Sequence, residues 1–300
     1  MNVDITSKST FVTPSDMDTG KFRALSKQLQ VRSHGLTDIG KRRTNEDQFA
    51  IAELRKVMRV LNSSFSQPQE HVAQEVGHLF VVADGVGGHA GGQEASQAAV
   101  TELEDFLLDM FCWFYDLHTG EEAPVFHEFQ QALAQVDARV IAEGQRHPQL
   151  TGMSTTLTMG LLLDDYLFVG HAGDSRCYLY REAELVPITK DHTLAADIAE
   201  AENRDVNEMK TTSNLWTNVL TNAIGGQSTG IRVDVHKLQL NQGDWLLFCT
   251  DGLPNVLSKS EINNTLASST DPRAACKSLI GMVQESGGSD NTTIITVEIQ

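Results

Sequence analysis

The stretch that most limits what this chain can become runs from His78 to Val100, HLFVVADGVGGHAGGQEASQAAV. Its apolar run, Leu79 to Ala83, reads as a buried strand that delivers an aspartate at Asp84, passes through five glycines and turns helical from Glu94. Asp-Gly between apolar runs is the usual mark of a hairpin. Here no second alternating strand follows, only Gly, Ala and a helical pattern, so the stretch places a carboxylate beside bare backbone at a strand end. A structural glycine loop remains the competing reading from this segment alone.

The 300 residues suit one large two-sheet fold. With 23 Lys+Arg against 40 Asp+Glu, a formal charge of -17 makes nucleic acid and anionic membranes poor partners and fits a chain that collects cations. The four cysteines, Cys112, Cys177, Cys249 and Cys276, are scattered without CxxC or a histidine at ligand spacing. They read as buried free thiols of a reducing compartment, not as a zinc site or disulfide frame. No apolar segment resembles a signal peptide or a membrane span, so a cytoplasmic location is expected; the chain is also expected to act as a monomer.

Residues 1–28 are polar and rich in Ser, Thr and Asp, a flexible tail before a single domain over 29–300. From Val31 the pattern is strand, turn at Asp38-Ile39-Gly40, a loop carrying Arg42, Arg43, Asn45, Glu46 and Asp47, then a strand from Gln48 to Ala52. Such a loop is ordinarily a solvated turn; two cations, an amide and two adjacent acids just before an apolar strand argue otherwise. Residues 53–77 look irregular, an insertion with no readable role. Helices are expected over about Glu94–Tyr115 and Phe126–Gln145, the second burying Phe129, Leu133, Val136 and Val140. A three-strand meander follows, with hairpins at Asp164-Asp165 and Arg181-Glu182-Ala183 and the sequence GHAGDSR, containing Asp174, between its second and third strands. One or two short helices after Lys190 and an ordered segment up to Gly225-Gly226 suggest a flap. An apolar run then delivers Asp251-Gly252, and Asp290-Asn291 precede the last strand.

Carboxylates at strand ends in one sheet system converge, and clustered buried carboxylates must either protonate or share a cation. Oxygen ligands without His or Cys specify Mg2+ or Mn2+ over zinc. Two such ions about 3.5–4 Å apart are a general solution for phosphate-ester hydrolysis. Arg42 or Arg43 supplies a fork for a phosphate.

The order RRTNED, DGVGGH, GDSR, TDGL, GGSDNTT resembles the metal-dependent protein serine/threonine phosphatases, the type 2C or PPM family, in its bacterial branch, from about Val31 to Ile299. The resemblance implies an α+β fold: a four-layer αββα sandwich of two antiparallel β-sheets flanked by helices. It also implies that Asp84 bridges two Mn2+ or Mg2+ ions with help from the Gly85 carbonyl, that Glu46 binds the second ion, and that Asp251 and Asp290 bind the first. Asp47 would act through water, Arg42 would grip the phosphate, and Asp174 would join Asp251 at a third, weaker ion. The implied substrate is a protein phosphorylated by a serine/threonine kinase.

Four features depart from the family. Val86 stands where eukaryotic members carry a proposed general-acid histidine, which leaves His89 or a metal-bound water as the acid, the water being favoured, with His171 and His192 no better placed than His89. Asn222 replaces the arginine of a Thr-Arg-Ala-Leu-Gly segment. The 53–77 insertion and the acidic loop near Glu121 lie outside the pattern and are candidates for partner contacts. Two rival readings are weaker. A dinucleotide site fits the weak Gly85–Ala90 match to GxGxxA, but it needs an acid at the end of the next strand, where Glu104 and Asp105 fall inside a helix. A catalytically inactive phosphatase-like binding module would lack metal ligands, and none is missing.

Overall fold

The computed structural model describes residues 29–62, 64, 70–86, 90–109, 123–202, 204, 216, 219–226 and 230–300. The expected tail 1–28, His89 and Glu121 therefore lie outside the described residues. In order the elements are β1 (Val31–Asp38), β2 (Asp47–Arg59), β3 (Glu70–Val86), α1 (Ala90–Asp109), α2 (Ala123–Arg146), β4 (Ser154–Thr155), β5 (Leu157–Leu163) and β6 (Tyr166–Ala172). Then come β7 (Arg176–Arg181), β8 (Glu184–Pro187), α3 (Leu194–Ala201), β9 (Ile224–Gly225), β10 (Asp234–Gln239), β11 (Trp245–Cys249), α4 (Lys259–Ser268), α5 (Pro272–Glu285) and β12 (Thr292–Ile299).

They make two antiparallel sheets, one ordered β1-β12-β11-β7-β8 and the other β10-β6-β5-β3-β4-β9, with β2 also paired to β3. Alternation along single strands shows why these layers stack. In β3, Leu79, Val81 and Ala83 face a core shared with Leu103 of α1 and Phe129, Leu133, Val136 and Val140 of α2, while Phe80 and Val82 face the other sheet. In β11, Leu246 and Phe248 join that inter-sheet core, and Trp245, Leu247 and Cys249 pack with Leu266 of α4 and Leu279 of α5. A strand buried on both faces must be apolar throughout, and this is why such runs were readable as strands. Phe80 and Phe248 stack across the inter-sheet layer at 5.8 Å between ring centroids, a contact worth about 0.5–1.5 kcal/mol beyond burial. Three cores separate four layers, helix–sheet–sheet–helix, the expected αββα sandwich; its antiparallel sheets exclude the doubly wound frame of a dinucleotide site.

Several local expectations change. β3 does not end at Ala83 but runs to Val86, with Asp84 paired to Asp47 and Gly85 to Thr155. α1 begins at Ala90, so Gly91 and Gly92 belong to its first turn. Residues 53–59 and 70–77 are not irregular: they extend β2 and β3, pairing Val57 with Val72 and Arg59 with Glu70. The expected meander is broken, because β6 lies in one sheet and β7 in the other. The chain changes sheets at Gly173-Asp174, where Gly173 has φ +118 and a Cβ would stand 2.5 Å from the Thr156 Cβ. Only glycine fits that backbone and that space. The thiols of Cys177, Cys249 and Cys276 are free and buried. Among the described residues no helix is long and apolar enough to cross a membrane.

Candidate metal centre

Strand ends, a loop and a sheet crossover meet at one open cleft of ≈ 370 Å³. Arg42, Glu46, Asp84, Gly85, Asp174, Asp251 and Asp290 all line it, as do Arg43, Thr44 and Leu220. Asp47 lies beneath, 2% exposed. Every residue singled out from the sequence for metal or phosphate is thus in or directly under one cavity.

Local bonding explains the placement. The Asn291 side chain ties three segments together: its amide nitrogen donates to the carbonyls of Ile39 and Thr44 at 2.8 and 3.0 Å, and its Oδ1 accepts from the Glu46 N–H at 2.9 Å. The Glu46 carbonyl accepts from the Gly85 N–H at 3.1 Å and from the Ser96 hydroxyl of α1 at 2.6 Å. Asp84 is fixed through its backbone, its N–H donating to Thr156 Oγ1 at 3.0 Å and its carbonyl accepting from Thr155 Oγ1 at 2.8 Å. Asn255 donates to Asp251 Oδ2 at 2.9 Å. These fixings leave the Asp84 carboxylate free to face the cleft. Strand β3 and helix α1 approach so closely that a Cβ on Gly85 would stand 2.1 Å from the Gly92 carbonyl oxygen.

The electrostatics are those of acids crowded without compensation. Burial, then neighbouring aspartates, pushes Asp84 well above the usual carboxylate range. Asp174 is raised to about 8 by burial and Asp251. Burial raises Asp47 to about 7 even though Thr250 donates to its Oδ2 at 2.8 Å. Asp251 is also raised, chiefly by burial, and stands within hydrogen-bonding reach of Asp84. Asp47 Oδ1 is buried without a hydrogen-bond partner. Such a set binds either protons or hard cations, and its donors are all oxygen, the chemistry of Mg2+ and Mn2+. Among the described residues no three His, Cys, Asp or Glu side chains are gathered closely enough to hold an ion as they stand; the acids ring the cleft. Arg42 donates to Asp290 Oδ2 at 2.6 Å, a bond that raises its own pKa.

Two histidines considered as general acids are placed elsewhere. His171 is fully buried, paired with Thr158 and the Lys190 carbonyl, and lowered to about 3 by burial and by His192. His192 is 1% exposed, and burial lowers it too. Neither lines the cleft. Thr250 and Asn291 fall inside the TDGL and GGSDNTT motifs, but the supporting bonds they and Thr156 make were not readable, because their partners lie 203, 245 and 72 positions away.

Comparison with known proteins identifies the family. Over 265 residues the chain is 28% identical to the protein phosphatase PhpP of Streptococcus pneumoniae, covering 88% of this chain and 96% of that one. A serine/threonine phosphatase from S. agalactiae superposes with TM-score 0.71 at 26% identity, covering 90% of this chain and all of that one. The catalytic domain of the phosphatase PstP, solved with two manganese ions, superposes with TM-score 0.66 at 26% identity over 90% of this chain and 99% of that one. The family model described as Protein phosphatase 2C matches residues 65–284, well over half the sequence, and the chain belongs to that family.

Proposed function

We propose that this chain removes phosphate from phosphoserine and phosphothreonine in protein substrates, using water activated at two divalent cations. Its membership of a metal-dependent protein phosphatase family supports the reaction class. The observation that carries the site assignment is the convergence of Arg42 with Glu46, Asp84, Asp174, Asp251 and Asp290 on one cleft. Asp84, with the Gly85 carbonyl beside it, would help to hold both ions, Glu46 one of them and Asp251 and Asp290 the other, and Asp47 would act through water. Asp174 with Asp251 would hold a third, weaker ion. When bound, the ions supply an activated water and neutralise the phosphoryl oxygens.

The chain's own groups do the rest. Arg42 is exposed at the cleft wall, and its planar fork matches two phosphate oxygens. One nitrogen of that fork now donates to Asp290 Oδ2, which holds the guanidinium beside the acids and leaves its other donors for a phosphate. Burial of Asp84 and Asp47 makes each an uncompensated charge once ionised, which draws a cation into the cleft. A cytoplasmic monomer, Mg2+ as an alternative to Mn2+, a substrate supplied by a serine/threonine kinase, and 29–300 as the catalytic unit belong to the same reading.

The test is release of phosphate from phosphoserine and phosphothreonine peptides by protein stripped with EDTA, before and after Mn2+ is restored. Turnover only with the ion supports the proposal. Turnover in metal-free buffer, or none in either state, overturns it; the second result would favour a phosphopeptide-binding module.

A further inference from the structure

Gly173, which carries the chain between sheets, is held on both sides by one residue. The His192 backbone N–H donates to the Gly173 carbonyl at 2.7 Å, and the Gly173 N–H donates back to His192 Nδ1 at 3.1 Å. The Asn222 side-chain amide also donates to Nδ1, at 2.8 Å. With Nδ1 accepting twice, the ring proton sits on Nε2 and is donated to Asp234 Oδ2 at 2.9 Å. Asn222 in turn clasps Arg232, accepting from its N–H at 3.0 Å and donating to its carbonyl at 2.8 Å. The next contacts run the same way: the Thr221 N–H donates to the His192 carbonyl at 2.9 Å, and Leu220, which lines the cleft, bridges to Thr193. Asp174 and Leu220 reach the cleft from different parts of the chain and are both referenced to His192.

We propose that His192 is a positioning residue that sets the Asp174 carboxylate, and that Asn222 links this setting to the segment bearing Leu220. This rests on Asp174 being a ligand of the third, weaker ion. A different role is open to the same side chain: its ring lies 4.7 Å from that of His171, and it could simply fill space there. Two substitutions separate the roles. In His192→Asn the amide oxygen stands where Nδ1 stood, keeping an acceptor for Gly173 and losing the reach to Asp234. In His192→Gln the terminal amide reaches Asp234, and no acceptor faces Gly173.

Mn2+ binding is measured by calorimetry on wild type, both variants and Asp174→Ala, with thermal melting to follow folding. The weakest binding step is expected to disappear in Asp174→Ala, to weaken about tenfold or more in His192→Gln, and to stay within about threefold of wild type in His192→Asn, on the scale of groups that orient a ligand. The two tighter steps stay unchanged in all four proteins. Equal weakest steps in the Gln and Asn variants, with loss in Asp174→Ala, would leave His192 as a space-filling residue and overturn the proposal. A weakest step that survives Asp174→Ala would overturn the third-ion reading, and the positioning role with it. Should neither His192 variant fold, Asn222→Asp decides, because it sets a carboxylate oxygen against Nδ1 and disturbs the acceptor that Gly173 uses. Selective weakening of the last step supports the role, and wild-type binding refutes it.

Discussion

Gly91 and Gly92 are neighbours in the first turn of α1, yet replacing each with alanine should have opposite consequences. A Cβ at Gly91 would meet nothing closer than the Met153 Cβ at 3.5 Å, an ordinary contact. Gly91→Ala therefore restricts the unfolded chain at no steric cost and should stabilise by about 0.4–1 kcal/mol, roughly 1–2 °C in a chain of this size. At Gly92 the Cβ would stand 2.6 Å from Glu46 Oε2 and 3.0 Å from the Gly85 carbonyl carbon. The mobile partner is the Glu46 carboxylate, which must retreat by roughly 0.8 Å to reach normal contact. Overpacking of about 1 kcal/mol then cancels the entropic gain, leaving the melting temperature of the metal-free protein within about 2 °C of wild type. The displaced ligand should lower Mn2+ affinity about 10- to 100-fold, or about 1.4–2.7 kcal/mol. Calorimetric Mn2+ titration and melting with and without Mn2+ read this directly, since a tenfold weaker site loses about 1.4 kcal/mol of metal-induced stabilisation. Wild-type Mn2+ affinity in Gly92→Ala, or an equal loss in Gly91→Ala, would refute the placement of Glu46 as a ligand behind that glycine.

Asp84→Ala, Asp251→Ala and Asp290→Ala should each cost metal occupancy before folding and reduce phosphopeptide turnover severely, as seen by comparing metal content with activity on the same samples. Arg42→Lys keeps the charge and loses the fork, so inhibition by inorganic phosphate should weaken while Mn2+ binding persists; if only Arg43→Lys shows this, the neighbouring arginine is the one in use. Because Asp47 and Asp174 titrate at about 7 and about 8 in the metal-free protein, cations compete with protons there. Mn2+ affinity should rise steeply from pH 6 to pH 8, with proton release visible to an indicator dye, and a flat profile would contradict the raised values. Thr250→Val removes the donor to Asp47 Oδ2 and should cost about 1–3 kcal/mol, a fall of several degrees on melting.

The sandwich could be read from sequence where burial on both faces writes one continuous apolar run, as in Leu79–Ala83 and Trp245–Cys249. The acids were legible for a related reason: a carboxylate stationed at the edge of such a run, as Asp84 and Asp251 are, has no structural excuse. What stayed hidden depends on partners distant in the chain. The β2–β3 extension carries no burial pattern, since Val57 and Val72 pair with each other and remain 59% and 52% exposed. The sheet change at Gly173 looks like a turn until β7 is seen beside β11. α1 starts among glycines that disguise its first turn, and Asp84-Gly85 turns out to be strand because Thr155, seventy positions on, pairs with it. His171 and His192 seemed equal to His89 as acids, because burial of an imidazole leaves no mark in the surrounding sequence.

The position of β12 has a consequence for how the molecule comes to exist. This last strand does not sit at an edge; it lies between β1 and β11, pairing Val31 with Ile299 on one side and Trp245 with Glu298 on the other. Asp290 and Asn291 directly precede it, and Asn291 holds the Glu46 loop in place. During synthesis, then, β1 waits for a neighbour encoded far downstream of it, and the carboxylates of Glu46 and Asp290 meet only once that strand has been inserted. A ribosome-bound chain lacking β12 should show no Mn2+ uptake at this centre, however well its other sheet has formed. On the proposed assignment the centre would be complete only once β12 has joined the sheet, so a chain without that strand would not strip phosphate from its surroundings.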